Sequence, residues 1–187
     1  MAIPPFLAEL RSLVGTRPLW LSAACVVVLD DRDRVLLGRR ADTGAWALPG
    51  GVIDPGEQPA DAAARECFEE TGVEVVPERL TSVSVSQPVT YQNGDQVQYL
   101  ELVFRCRVVG GQARVNDEES LEVAWFALDA LPELDAYNQD WLAQALAGPG
   151  DAAGFRFAGA AGAAGAAGAA GAAGVAGGHG GHATCDI

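Results

Sequence analysis

The sequence predicts an α/β protein in which two layers of helix cover a mixed β-sheet. Two observations point there. Runs rich in β-branched and aromatic residues recur at 21–29, 34–37, 73–76, 80–85, 96–108 and 121–126. Segments with helical spacing of apolar residues lie before, between and after them, at 6–14, from near Pro59 to just before Gly72, and at 137–147. Strands interleaved with helices in this way bury one sheet between helical layers. A chain of 187 residues supports one domain with a substantial core and is short for two.

Taken in order, the first element follows Pro4-Pro5, where Phe6, Leu7, Leu10, Leu13 and Val14 recur at helical spacing up to Gly15. Such a stripe by default packs on its own domain; the other reading is a partner, with a second copy of the chain forming a homodimer through this helix. The runs at 21–29 and 34–37 flank Asp30-Asp31-Arg32-Asp33 and read as a hairpin. Arg39 and Arg40 follow directly, placed either to hold an anionic substrate or to end a strand in solvent. The next helix starts at Pro59, whose missing N–H costs nothing in a first turn, and is closed by Gly72. Ala60, Ala64, Cys67 and Phe68 form the side expected to lie against the sheet. Asn93-Gly94 marks a turn, and a helix at 137–147 closes the domain. This divides the chain into an N-terminal helix at 1–19, a domain at 20–147 and a tail at 148–187.

The tail repeats Gly-Ala-Ala from Gly159 to Gly174, and glycine every third residue costs about 1 kcal/mol each in a helix. A disordered appendage is the expectation. His179, His182 and Cys185 offer too few ligands, on too flexible a tract, for a structural metal site. The formal charge of −13, from 25 acidic and 12 basic residues, excludes an electrostatic binder of nucleic acid or of a lipid surface. Cys25, Cys67, Cys106 and Cys185 show no paired spacing and no secretory leader precedes them, so they are expected to be reduced thiols in a cytoplasmic protein. Apart from the glycine-interrupted alanine tail, no run of about 18 apolar residues suits a membrane span.

Chemistry concentrates on the middle helix. Glu66, Glu69 and Glu70 stand at i, i+3 and i+4, so their carboxylates share one face. Each like-charged pair there costs on the order of 0.2–0.5 kcal/mol even when exposed. Either the face is simply solvated, or a cation neutralises it. All-oxygen ligands select Mg²⁺, Ca²⁺ or Mn²⁺, and Mg²⁺, with Mn²⁺ as a possible substitute, fits best because it uses a few carboxylates plus water and substrate phosphate.

The framing of these glutamates decides between the two. Gly51, five residues, Glu57, seven residues, Arg65-Glu66, Cys67, one residue, Glu69-Glu70, one residue, Gly72 and Val73 match the signature of the Nudix hydrolases position for position. Cys67 stands where that family usually has an aliphatic residue, and a buried cysteine is a small hydrophobe. The resemblance covers about residues 20 to 147 and implies an α/β/α sandwich around a mixed sheet. It implies hydrolysis of a phosphoanhydride in a nucleoside diphosphate linked to another moiety, whether ADP-ribose-like, a dinucleotide or a nucleoside triphosphate. Glu66, Glu69 and Glu70 would hold the metal, with the carbonyl of Gly50 joining it. Glu57 and Arg65 would form a structural pair, and Gly51 and Gly72 would shape the motif.

Relatives take the general base either from the signature helix or from a late acidic loop. Here that loop is Asn116-Asp117-Glu118-Glu119-Ser120, and Glu119 is favoured over Glu118 because its distance to the following Trp125-Phe126 resembles the family pattern. An ordinary acidic loop is the other reading. Trp46, Tyr91 and Trp125 are candidates to stack on a base, with core packing as their alternative fate. Pro88 and Tyr91 resemble markers of different subfamilies, so a small-molecule nucleotide is expected and its identity stays open. Two rival classes are a non-catalytic nucleotide sensor, which typically loses signature carboxylates that this chain keeps, and a protein-interaction module built on the first helix and the tail.

Overall fold

The computed structural model describes residues 3–148 and 153–155. Its centre is a parallel pair. β1 (Leu19–Leu29) runs beside β7 (Gln96–Gly111) in register from Leu19↔Val97 to Leu29↔Arg107. Parallel strands covered on both faces read as nearly continuous apolar runs, and LWLSAACVVVL does so. β5 (Val73–Val85) pairs antiparallel with β7. β2 (Arg34–Arg40), β3 (Trp46–Ala47), β4 (Gly50–Val52), β6 (Val89–Thr90), β8 (Ser120–Ala127) and β9 (Gly154–Phe155) complete a nine-stranded sheet among the described residues. Its main order is β3-β2-β1-β7-β5-β9, with β4 on β1, β6 on β7 and β8 on β2.

Alternate residues of β1 feed two cores. Ala24, Val26 and Val28 meet Ala62, Ala63 and Cys67 of α2 (Pro59–Thr71). Val27 and Leu29 meet the other layer, where Trp141, Leu142 and Ala145 of α3 (Ala136–Leu146) lie. The α/β/α sandwich therefore follows from strand periodicity. α1 (Pro5–Val14) packs on its own domain, Leu7 against Leu21 and Val97. Asp135 caps α3 by accepting the Asn138 N–H, and Arg79 and Arg105 both donate to the Ala145 carbonyl at its far end. Cys25, Cys67 and Cys106 are free, and burial pushes the thiols of Cys67 and Cys106 up, which keeps them neutral core groups. No helix among the described residues is long and apolar enough to cross a membrane.

Four expectations need correction. The buried row of α2 is Ala63-Cys67-Thr71 with Ala62 beside it, and Phe68 is 41% exposed. The 60-64-68 row lies one residue further round, about 100° on a helix, so its last and largest member leaves the sheet. The hairpin reading holds only at Leu29↔Val35; beyond it β3 takes that edge of β2 while β8 pairs the opposite edge throughout, and β4 takes the place of β2 against β1. Glycine permits that exchange, since a Cβ on Gly50 would stand 2.5 Å from the Ala24 carbonyl oxygen. The runs at 73–76 and 80–85 are one strand with three register shifts, one of them just after Pro77, which has no N–H to give the ladder. Finally, Gly154 and Phe155 pair in parallel with Ser82 and Val83, so the tail is not structureless from residue 148 onward. The Gly-Ala-Ala tract, His179, His182 and Cys185 lie outside the described residues.

The loop between β4 and α2 is tied down by one arginine. Arg65 Nε and Nη2 donate to the two oxygens of Glu57 at 2.8 and 2.9 Å, and Nη2 also donates to the Val52 carbonyl at 3.1 Å. Glu57 in turn accepts the Asp54 N–H. A planar guanidinium matches this bidentate geometry as an ammonium would not. The Arg65 hydrogen bonds hold the Glu57 carboxyl below its usual range.

A depressed carboxyl contributes stability above its unfolded pKa and loses it as pH falls through the folded one. Glu57→Gln should therefore cost about 1 kcal/mol at pH 7, a charged hydrogen bond discounted for partial exposure. In pH-resolved denaturant melts the gap to wild type should close below about pH 4, near the ordinary glutamate range. A gap that is constant down to pH 3 would remove the ion pair as its cause. Ending the chain after Ala147 removes β9 and should lower the thermal midpoint by about 2–4 °C, the shift expected for a loss of about 1 kcal/mol.

Candidate active site

α2 turns two of its three signature glutamates inward and leaves the third at the surface. Glu66 turns inward beneath Gly51, where a Cβ would lie 2.5 Å from the Glu66 carboxyl carbon, so glycine is required for the carboxylate to sit there. Glu70 also turns inward and accepts the Gly50 N–H. Glu69 faces solvent at 52% side-chain exposure. Arg65 Nη1 reaches both neighbours, donating to Glu66 at 2.7 Å and to Glu69 at 2.9 Å. The three therefore stay neighbours, with Glu66 and Glu70 on the inner side and Glu69 at the solvent edge. Among the described residues no three Asp, Glu, His or Cys side chains close around one point as a metal cage. The inward donors Glu66 and Glu70 are what the helix offers.

The late loop reaches them by docking on the end of α2. Gln112, Arg114 and Asn116 donate backbone N–H groups to the carbonyls of Gly72, Thr71 and Glu70, and Asn116 Nδ2 donates to the Phe68 carbonyl at 2.9 Å. The Glu70 and Thr71 carbonyls are among those a helix C-terminus leaves unpaired, while that of Phe68 already accepts the capping Gly72 N–H. Asp117 Oδ1 then accepts the N–H groups of Glu119 and Ser120, and Ala41 N–H donates to the Glu119 carbonyl at 2.8 Å. The result is a small open cleft lined by Glu70, Glu118, Glu119 and Arg40 among others. Sequence reasoning named Glu119 but missed how the 112–116 segment carries it there. Asn116, three residues before it, was the available signal, since Asn readily bonds backbone.

Burial sets the electrostatics. It pushes the Glu70 carboxyl up to about 8, helped by the charges of Glu66, Asp117 and Glu119 and opposed by the Gly50 N–H. Glu66 is raised by burial against the pull of Arg65. Glu119 is raised by burial and by Asp117, against Arg40. Arg40 is itself engaged, holding both oxygens of Asp42 at 2.9 and 2.6 Å. A set of crowded carboxylates in which Arg65 bonds Glu66 but no guanidinium bonds the more buried Glu70, and which offers only oxygen donors, suits a hard divalent ion.

The remaining substrate candidates are placed elsewhere. Arg39 is exposed and donates to the Gly44 carbonyl. Trp46 stacks edge-on to Phe126 at 4.8 Å in the core under α3. Trp125 packs on the α2 side, with the Arg34 guanidinium 6.0 Å from its ring. Tyr91 shares a 2.9 Å hydrogen bond with the Tyr99 hydroxyl in the cluster under α1. Of the five, Arg40 lines the cleft.

Comparison with known proteins agrees with this geometry. The NUDIX domain pattern matches residues 19–146. A MutT-like protein of Streptomyces ambofaciens is 42% identical over 113 residues, covering 60% of this chain and 67% of that protein. A putative 8-oxo-dGTP diphosphatase of Bacillus subtilis is 32% identical over 114 residues, covering 61% and 71% respectively. The crystal structure of a MutT NUDIX hydrolase from Burkholderia pseudomallei superposes with a TM-score of 0.53 at 30% identity, over 67% of this chain and 98% of that one. The matched region runs from the first residue of β1 to the last of α3, so the likeness extends to the whole sandwich and not to the signature alone. This chain belongs to the Nudix family of hydrolases and is a pyrophosphohydrolase.

Proposed function

We propose that the enzyme hydrolyses a phosphoanhydride bond of a small nucleotide with Mg²⁺ bound at Glu66 and Glu70. The observation that carries this reading is the convergence of Glu66, Glu70 and Glu119 from two separate elements beside a cleft whose rim carries Arg40. Nudix hydrolases generally use a divalent metal, and the oxygen-only donors here fit Mg²⁺, with Mn²⁺ as the substitute. When bound, such an ion screens phosphate oxygens and acidifies water. Glu66 and Glu70 would hold it, and the Gly50 carbonyl and Glu69 are the further ligands that the family resemblance implies. Arg40 would turn from Asp42 to a substrate phosphate, as a guanidinium can grip two of its oxygens. Glu119 would take the proton of the attacking water. The relatives named for 8-oxo-dGTP and 8-oxo-dGDP, the latter human and 36% identical over 112 residues, support a nucleoside di- or triphosphate as substrate. A phosphate-release assay over nucleoside triphosphates, diphosphates, ADP-ribose, nucleotide sugars and dinucleotides tests that choice.

Glu70→Gln removes a charged ligand while keeping its volume, and kcat should fall at least about a hundredfold with the fold intact. Turnover close to wild type at saturating Mg²⁺ would contradict the assignment. Glu119→Gln separates its roles across a Mg²⁺ titration. A base gives a loss of about 10²–10⁴-fold that added Mg²⁺ does not repair, whereas a ligand gives a loss that Mg²⁺ partly restores. A rate within about threefold of wild type throughout would leave the base to the signature helix, with Glu66→Gln as the severe lesion.

A further inference from the structure

We infer that Asn138, on the helix across the sheet from the signature, is a positioning residue for the acidic centre. It is 6% exposed, one turn into α3. Its Nδ2 donates to Asp135 Oδ1 at 2.9 Å, and its Oδ1 accepts the Leu48 N–H at 2.8 Å, across 90 residues of chain. The amide has one workable orientation. Reversed, it would set its oxygen against a carboxylate and its NH₂ against an N–H.

Leu48 lies between β3 and β4, outside either ladder, and is 7% exposed. Without Asn138 its N–H would be a buried donor with no strand to receive it. The next two residues are fastened as well. The Pro49 carbonyl accepts the Val26 N–H at 2.9 Å, and the Gly50 N–H is given to Glu70. Three consecutive residues are thus pinned to α3, β1 and α2 in turn. Asn138 is the first pin, and it sets where the Gly50 N–H meets the inward carboxylate. Leu48 also forms part of the cleft wall. A strut that reaches the site from the opposite helical layer makes the geometry at Glu70 depend on α3.

This inference rests on the reading of Glu66 and Glu70 as metal-holding groups. Its test uses Mn²⁺ alone, followed by calorimetry on the full chain, together with hydrogen exchange at the Leu48 and Gly50 amides. Asn138→Leu removes the acceptor at similar volume, and Asn138→Ser, too short to reach Leu48, serves if the first variant does not fold. Asp135→Ala is the control, because it removes the helix cap and the Nδ2 partner but leaves the Leu48 N–H, which by itself still keeps the Asn138 oxygen turned toward it. Either Asn138 variant should weaken Mn²⁺ binding about tenfold or more, as losses behind a metal ligand do, and should speed exchange at both amides. Asp135→Ala should bind within about twofold of wild type despite a cap loss of about 1 kcal/mol. Wild-type affinity in the Asn138 variants, or equal weakening in the control, overturns the inference. A wild-type protein that binds no Mn²⁺ overturns the metal reading beneath it, a separate outcome.

Discussion

Carboxylates crowded in a half-buried place are the constraint on which the rest of this structure depends. Burial alone disfavours their charge, and Glu66, Glu70, Asp117 and Glu119 add mutual repulsion. The protein supplies partial relief. Arg65 bonds Glu66, the Gly50 N–H bonds Glu70, and Arg40 acts on Glu119 from the rim. None of these is a full charge at Glu70. A chain selected only for stability would replace such a group by an apolar residue of similar size, so its presence has to be explained by function.

Holding that arrangement requires scaffold on three sides. The sheet sets the floor through the β1 and β4 pairing, which glycines at 50 and 51 allow. Arg65 and Glu57 fix the approach to the helix, and the docked 112–116 segment fixes its end. The same hydrogen bonds that complete the C-terminus of α2 bring a second acidic element to the cleft. Local helix termination and assembly of the site are therefore a single event, and disturbing the late loop disturbs both.

Much of this was legible in the sequence, and the reason is spacing. Glu57, Arg65, Glu66, Glu69 and Glu70 are local in the chain, so their periodicity carries their geometry. What was not legible depends on distant partners. Nothing near Phe68 says that the buried row lies at 63, 67 and 71, because the choice is made by the sheet it meets. Trp46 and Trp125 look alike as aromatic candidates, yet each is claimed by a different core layer. The β1 and β2 hairpin ends after one residue pair because β3 takes the facing edge of β2 and β4 that of β1. Asn138 gives no sequence signal at all, since its partner is a backbone N–H in another element.

The central claim is that the inward carboxylates are arranged for a divalent cation. Its most direct test is the thermal midpoint of the metal-free protein as Mg²⁺ is added, with no substrate present. Binding to the native state should raise the midpoint continuously with the logarithm of Mg²⁺, reaching about 2.7 kcal/mol of stabilisation at a hundred times the dissociation constant. Glu70→Gln should abolish most of that rise. A wild-type midpoint that ignores Mg²⁺, or a rise that survives intact in Glu70→Gln, would contradict the account.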